Sequence, residues 1–495
     1  MSTPETGSGG VGYEETPDGY FEERGLRRHA RVGSLWALGV GAVISGDFFG
    51  WNFGLAAGGF GGLAIATAII TVMYLGLCFS IAEMSPALPH TGGAYSFARS
   101  AMGPWGAYVT GLAEAMEYVL TPAVIVVGVG DYLGAIFETP PAAAPIWWLA
   151  CYALFVGMNA AGAKTSFRFT VFITLLALGI LAVFWVGAIP HVDLARFALD
   201  VAPEAGASRW LPFGWPGVFA ALPFAIWFYL AIEELPLAAE ESHDPKRDMP
   251  RGILWGLGTL VACAFLTLFF SSAIAPGAAA LGTSGEPLFL GFRTIFGAGI
   301  GTRLLAAAAV AGLVASFHSI VYAYGRQLYS LSRAGYFPRW LSVTHATRRA
   351  PHRALIAGGV LGYGVALVIH TLGSKHPVGA VLLNMAVFGA VISYGLQMAS
   401  FVLLRLRLPD LERPYRSPLG IPGAVVAGGI AALTLGALFV VDPIYRKVVV
   451  GAAIWYAIGL LYFGLYARHH LLASPEEAFA TEALAAARAR DGAGS

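Results

Sequence analysis

The chain has 495 residues, of which 57% are hydrophobic and 12% charged, and its formal net charge is +1. Soluble domains carry about a quarter charged residues, so this composition excludes an ordinary soluble protein and indicates an integral membrane protein. The near-neutral charge offers no basic surface to nucleic acid, which excludes that class of partner.

The first 31 residues are rich in glycine and charge and lack the apolar stretch of a signal peptide. We expect residues 1–31 to form a mostly disordered cytoplasmic tail. Beyond them, apolar runs alternate with polar breaks and predict an all-helical membrane protein of about twelve spans. The predicted spans are 33–58, 63–85, 103–137, 146–162, 169–190, 215–241, 252–275, 301–332, 354–372, 378–404, 421–441 and 447–467.

Lysine and arginine are unevenly distributed between the two sides of this topology. If the amino terminus is cytoplasmic, 23 of the 30 basic residues lie on the cytoplasmic side. This bias predicts cytoplasmic termini at both ends and an even number of spans. We expect a multi-pass protein of the plasma (inner) membrane, in contact with lipid.

The first and sixth spans carry groups that interrupt an apolar helix. Ser45, Gly46 and Asp47 lie near the middle of the first span, and Glu233 lies in the sixth. Corresponding breaks in two five-helix halves predict an inverted-repeat transporter with its site near the midplane. The expected organisation is a ten-helix core at 32–404 with repeats at about 32–190 and 215–404, two additional helices at 405–467, and a cytoplasmic tail at 468–495.

Asp47 is the most unusual residue of the first span. An unpaired carboxylate in a membrane costs several kcal/mol, so Asp47 either caps the helix after the break or binds a cation, and the two roles are compatible. A cationic substrate offsets that cost. The aromatic residues Phe48 and Trp227 beside the breaks suit an ammonium ion, although aromatic rings also commonly pack helices together.

Two further polar residues lie within predicted spans. Glu117, one helical turn from Glu114, either contacts substrate or a proton or forms an interhelical hydrogen bond. His318 either shuttles protons or packs with its ring nitrogens satisfied. No zinc, Walker or dinucleotide motif is present, so we expect neither an enzyme nor a cofactor.

Three motifs resemble the amino acid, polyamine and organocation transporter superfamily. "PHTGGAYSF" at 89–97 resembles the signature that opens its third span, and "AEESHDPKRDMPRGI" at 239–253 resembles its linker after span six. "YGRQLYSLSRAGYFP" at 324–338 resembles its exit from span eight. Within the superfamily, "VISGDFFGWN" and "FAIWFYLAIEE" look most like ethanolamine permeases.

The resemblance implies roles for individual residues. Gly46 would lie beside bound substrate, Trp227 would cover it, Ala231 would replace the usual glycine of the second break, and Glu233 would be its acidic position. Proton-coupled relatives often carry a lysine in span five, near Thr174 in this chain, where no lysine occurs. The full set of expected substrate-binding residues is Ser45, Gly46, Asp47, Phe48, Glu117, Trp227, Leu230, Ala231, Glu233 and His318.

These features predict a permease that takes up ethanolamine or a similar small primary amine by alternating access. The alternative within the same superfamily is a permease for zwitterionic or cationic amino acids. A membrane enzyme and an amine sensor are more remote alternatives. The coupling ion, either H⁺ or Na⁺, is left open.

Overall fold

The structure is a computed structural model that describes residues 6–7, 10–88, 90, 92–297, 299–371, 378–440, 443–475 and 477–482. Residues 476 and 483–495 of the predicted tail at 468–495, and Pro89 and Thr91 of the first motif, lie outside the described residues. The helices are α1 Val32–Val43, α2 Ser45–Phe48, α3 Phe53–Ala87, α4 Ala94–Phe137, α5 Ala144–Ala160, α6 Ala163–Ala188, α7 Gly214–Ile226, α8 Pro245–Ser272, α9 Ala278–Leu281, α10 Pro287–Phe296, α11 Ile300–Arg333, α12 His352–Thr371, α13 Val378–Arg407, α14 Gly420–Val440 and α15 Pro443–Leu465. Three short strands are β1 Thr6–Gly7, β2 Val11–Glu14 and β3 Leu471–Leu472.

Within the described residues, nine helices are long and apolar enough to cross a membrane. They coincide with nine of the predicted spans, which agrees with a helical membrane protein. The first, sixth and ninth predicted spans lie instead on shorter apolar helices at Val32–Phe48, Gly214–Ile226 and His352–Val368. The total of twelve spans therefore stays a prediction.

Two long helices contain a change of direction at glycine. α3 is divided at Gly59, which has φ 66°, and α4 at Gly103, which has φ 80°. Small residues also bring α3 and α7 close together, since a methyl group at Gly58 would lie only 2.7 Å from the carbonyl oxygen of Gly217. This close approach agrees with the packing role of small residues in membrane helices.

The helices that contain the predicted breaks lie in the centre of the bundle. α1 packs against α6, α8 and α11, while α4 packs along α11 and α13. α7 packs against α3 and α14. Side chains from several helices can therefore reach the interrupted segments.

The described part of the amino-terminal segment is folded, although its composition predicts disorder. β2 pairs in parallel with β3 near the other end of the chain. Arg24 donates to the hydroxyl of Ser342 at 2.9 Å, and the hydroxyl of Tyr13 donates to Glu477 at 2.6 Å. Arg99 of α4 also bonds to Glu477, at 2.5 Å. Both terminal segments thus pack on the end of the bundle where α4 begins.

Candidate substrate site

The first helix is opened at Ser45 by a side chain from another helix. The amide of Ser45 donates to the hydroxyl of Ser316 at 2.8 Å, and that hydroxyl donates to the carbonyl of Gly41 at 2.8 Å. In an unbroken α-helix the same amide and carbonyl bond to each other directly. Ser316, on α11, therefore bridges the opened bond, and both buried backbone groups keep a partner.

The backbone unwinds beyond α2. Phe49 is extended, with φ −161°, and Gly50 has φ 100°. Asn52 holds this turn because its side-chain oxygen accepts from the Gly50 amide at 3.1 Å. The side-chain nitrogen of Asn52 donates to the carbonyls of Leu281 and Ser284 at 2.7 and 2.9 Å, which ties the turn to the segment before α10.

The first break has two parts, of which the sequence predicted one. The helix is opened at Ser45, as predicted, but Ser45, Gly46 and Asp47 then form the short helix α2, and the backbone unwinds further at Phe49 and Gly50. The hydroxyl of Ser316 supplies the missing hydrogen-bond partner at Ser45, whereas the left-handed φ of Gly50 is a conformation that glycine adopts readily. Asp47 therefore lies in the last helical turn before the unwound backbone.

The second break follows α7 and includes Trp227 and Ala231. Ala231 has φ 85°, a left-handed conformation that L-residues rarely adopt and glycine adopts easily. Its amide donates to a side-chain oxygen of Glu233 at 3.1 Å. A buried 3₁₀ helix, Ile232–Glu241, continues the chain.

The two breaks pack directly against each other. Gly46 lies so close to the carbonyl of Trp227 that a side chain there would overlap it, and a methyl group at Gly50 would lie 2.5 Å from the Trp227 indole nitrogen. The rings of Trp51 and Phe228 stack at 5.4 Å. The interrupted segments of the first and sixth predicted spans therefore form one centre.

Asp47 lies in this centre without a partner. Its side chain is buried, with 1% of the residue exposed, and neither carboxylate oxygen accepts a hydrogen bond from the described residues. The hydroxyl of Thr267 on α8 faces it without a hydrogen bond of normal geometry, and Tyr229 is within electrostatic reach. A helix-capping role would require a hydrogen bond from a backbone amide to Asp47, and none is present in the described residues.

A second acidic group lies between α4, the second break and α13. The carboxyl groups of Glu117 and Glu233 lie close enough to interact electrostatically, and the hydroxyl of Tyr394 donates to Glu233 at 2.9 Å and to Glu117 at 3.4 Å. Two like charges this close repel each other, and a single proton held by the pair would lower that repulsion. Tyr74 bonds to Tyr394 at 2.9 Å and packs on Tyr229 beside Asp47, with ring centroids 5.1 Å apart.

Two further buried glutamates border this group. Glu114 accepts a hydrogen bond from Gln327 at 2.8 Å. Neither oxygen of Glu234 has a hydrogen-bond partner among the described residues. Glu114 and Glu234 both act electrostatically on Glu117, so the group carries more carboxyl groups than the expected set contains.

The other buried glutamates are paired with arginine. Glu241 is held by both nitrogens of the Arg326 fork at 3.1 Å, and Glu83 bonds to Arg405 at 2.5 Å and Arg413 at 3.0 Å. By contrast, Asp47 and the acidic group around Glu117 form no ion pair in the part of the chain that the structure describes. The centre of the bundle is thus left with uncompensated carboxyl groups.

Three expected site residues have mainly packing surroundings. Both ring nitrogens of His318 have partners, Asn159 at 3.2 Å and Ser166 at 2.9 Å, on α5 and α6 rather than at the breaks. The Phe48 ring faces α11, and its carbonyl accepts from Tyr132 at 3.0 Å. Leu230 is buried within the turn of the second break.

Comparison with known proteins identifies the family. A family model described as amino acid permease matches residues 32–465. The chain belongs to the amino acid permease family. It is 30% identical to an uncharacterized transporter of Rhizobium meliloti, over 78% of this chain and 81% of that protein. A branched-chain amino acid permease of Bacillus subtilis is 26% identical, over 90% of this chain and 95% of that protein. A methylthioribose transporter of the same organism is 24% identical, over 92% of this chain and 97% of that protein.

Membership confirms the superfamily that the three motifs indicated and a membrane transporter function. The permease places Thr174 where the resemblance predicts a lysine in proton-coupled relatives, and Thr174 donates to the carbonyl of Ala37 on α1 at 3.1 Å. Span five therefore contributes a neutral contact to the first helix. In this permease, the acidic groups that could bind a cation lie on the first, third and sixth predicted spans.

Proposed function

We propose that this permease takes up a small primary amine, such as ethanolamine, by alternating access as a secondary transporter. The proposal includes twelve spans, two inverted five-helix repeats at about 32–190 and 215–404, cytoplasmic termini and a location in the plasma membrane. The packed breaks of the first and sixth spans would form the binding site.

One observation supports an amine above all: the breaks contain a buried carboxylate without a partner. Both oxygens of Asp47 lack hydrogen bonds from the described residues, while acids elsewhere, such as Glu83 and Glu241, are neutralised by arginine. Burying an uncompensated charge is costly, so a cation is the ligand that fits. We assign the substrate ammonium to Asp47.

The remaining contacts follow from the same geometry. The ring of Trp227, which packs against Gly50 in the turn after Asp47, would stabilise the ammonium by roughly 0.5 to 2 kcal/mol. The opened backbone near Ser45 would bond to the substrate hydroxyl. Glu233 and Glu117 both accept from the hydroxyl of Tyr394, so we assign one shared proton to this pair of neighbouring carboxyl groups, and this proton would be the coupling ion.

The second candidate function is amino acid transport. It is supported by the family description and by the branched-chain amino acid permease among the relatives. Another relative, similar over nearly its whole length, is named for methylthioribose. Sequence identity with these relatives therefore leaves the substrate open, and the charge of the site is more direct evidence on the substrate.

Uptake into proteoliposomes tests the proposal. Labelled ethanolamine and labelled alanine are supplied separately, with unlabelled ethanolamine, alanine, lysine and choline as competitors. We expect uptake of ethanolamine that unlabelled ethanolamine inhibits and alanine does not. Uptake of alanine that ethanolamine fails to inhibit would reject the amine in favour of an amino acid. An imposed proton gradient, with and without sodium, tests the assigned coupling ion in the same vesicles.

A further inference from the structure

A groove of about 400 Å³, called the basic groove below, lies between the start of α8 and the loop that joins α13 to α14. Two residues before α8, the amide of His243 donates to the carbonyl of Ala30 at 3.0 Å. This contact places the basic groove at the end of the bundle where the terminal segments pack. The residues of its wall used here are Lys246, Arg247, Arg251, Leu254, Trp255 and Tyr415.

Arg247, Arg251 and Trp255 form one line along α8. They are four residues apart, and residues at this spacing lie on the same face of a helix. At 1.5 Å per residue, Trp255 lies about 6 Å farther along the helix than Arg251. Because α8 is long and apolar enough to cross a membrane, the line runs from charged groups at the helix start towards the apolar interior.

The two arginines of this line have no acidic partner. Both are exposed, and neither forms an ion pair or a side-chain hydrogen bond within the described part of the chain. Lys246, beside them, is already paired with Glu412 of the α13–α14 loop at 2.8 Å. Like charges four residues apart destabilise a helix. An anion bound between Arg247 and Arg251 would remove that repulsion.

The opposite wall of the basic groove is held in place by other contacts. Glu83 of α3 forms an ion pair with Arg413 at 3.0 Å and accepts from the amide of Ser417 at 2.7 Å. Tyr415, which lines the groove, lies between these two anchored positions of the loop. Glu83 is therefore occupied, and its charge is not available to the arginines of α8.

The deeper part of the basic groove is apolar. The residue Trp255 is 66% exposed, and Leu254 lines the groove beside it. On a helix that crosses a membrane, an exposed tryptophan faces lipid, and tryptophan is enriched at the level of the lipid headgroups. A ligand that fits both parts carries an anionic group for the arginines and an apolar group for the tryptophan. A phospholipid with a net negative charge has both groups, whereas a free phosphate has only the first.

We propose that the basic groove binds an anionic phospholipid from the adjacent membrane leaflet, with its phosphate at Arg247 and Arg251 and its acyl region along Trp255. Guanidinium groups suit phosphate because each offers N–H donors in a planar fork. Basic pockets between membrane helices are the usual binding places of anionic headgroups. The bound lipid would join the start of α8 to the α13–α14 loop, as the pair of Lys246 and Glu412 does.

Native mass spectrometry of the full-length permease in detergent tests the groove, with phosphatidylglycerol or phosphatidylcholine added. The variant Arg247→Gln/Arg251→Gln is compared with wild type. The matched control is Lys164→Gln/Arg168→Gln, because these exposed basic residues have the same spacing at the start of α6 and do not line the groove. We expect Arg247→Gln/Arg251→Gln to bind phosphatidylglycerol about thirtyfold more weakly than wild type. The control should bind it as wild type does, and phosphatidylcholine should not distinguish the three proteins.

Equal binding of phosphatidylglycerol by Arg247→Gln/Arg251→Gln and wild type, or an equal loss in the control, would overturn the lipid site. Inorganic phosphate is added as a competitor to identify the source of the anion. We expect it not to displace phosphatidylglycerol; displacement at the concentration of the lipid would show that the groove binds a soluble anion instead.

A second variant, Trp255→Ala, tests the apolar part of the groove without changing its charge. We expect weaker binding of phosphatidylglycerol, and unchanged binding would reject the placement of the acyl region. Thermal unfolding without added lipid should be alike in all variants, since the replaced side chains are exposed. Lipid binding is measured without ethanolamine, so the result does not depend on the proposed substrate or coupling ion.

Discussion

Replacing Asp47 with asparagine removes one charge from the centre of the bundle while keeping its shape. An ammonium about 4 Å from a carboxylate gains roughly 4 kcal/mol at an effective dielectric constant of about 20. A neutral amide retains a hydrogen bond of about 1 kcal/mol. The net loss of roughly 3 kcal/mol corresponds to an approximately 150-fold weaker Kd. Because the oxygens of Asp47 bond to no described residue, the unliganded variant should be at least as stable as wild type.

Thermal unfolding in detergent, with and without ethanolamine, measures both effects. Ligand at about 100 times Kd stabilises wild type by roughly 2.7 kcal/mol, and the same concentration should stabilise Asp47→Asn by only about 0.3 kcal/mol. Glu83→Gln is the contrasting control, since it breaks the contacts to Arg405 and Arg413 and should lower stability while leaving the ligand effect intact. Equal stabilisation of Asp47→Asn and wild type by ethanolamine, or a loss of unliganded stability like that of Glu83→Gln, would show that Asp47 is structural.

Three further predictions concern stability and are read by thermal melts or limited proteolysis. Ser316→Ala should cost about 1 to 3 kcal/mol, because two buried backbone groups lose their partner; Ser316→Thr, which keeps the hydroxyl, should cost less. Ala231→Gly should raise stability by about 1 kcal/mol by relieving the left-handed backbone, and a melt unchanged or lowered would refute that strain. Hydrogen bonds with His470 and Arg339 lower the pKa of Glu14. The stabilisation from these bonds is therefore complete above the ordinary glutamate pKa of about 4.3 and is lost as the pH falls through the lower pKa of the folded state. Proteolysis of the amino-terminal segment should increase on acidification in wild type and be pH-independent in Glu14→Gln.

Local signals predicted the helices and the existence of both breaks. Runs of apolar residues identified the nine long helices, and the isolated Asp47 drew attention to the first span. The opened bond at Ser45 was predicted, but its bridging by Ser316 was not, because Ser316 lies far away in the chain. The further unwinding after α2 was also missed, although Gly50 was a local signal for it.

Contacts between distant segments could not be predicted. Tyr394 reaches Glu233 across 161 positions of sequence, and no period or motif connects the two. The folded amino-terminal segment was missed for the same reason. Its glycine-rich composition predicts disorder, whereas the hydrogen bond from Arg24 to the hydroxyl of Ser342 joins it to a distant part of the chain.

The distribution of compensated acids is the physical argument for the proposed amine over an amino acid. Toward the end of the bundle where the termini pack, Glu240 forms an ion pair with Arg333 and Glu241 forms one with Arg326. The charges of these two acids are therefore neutralised without a substrate. Around the breaks, Asp47 has no such partner among the described residues. A zwitterion brings no net charge, so its carboxylate would add to the uncompensated acids while its ammonium offset one. An amine without a carboxylate brings only the missing positive charge, and therefore fits the site with fewer unpaired groups.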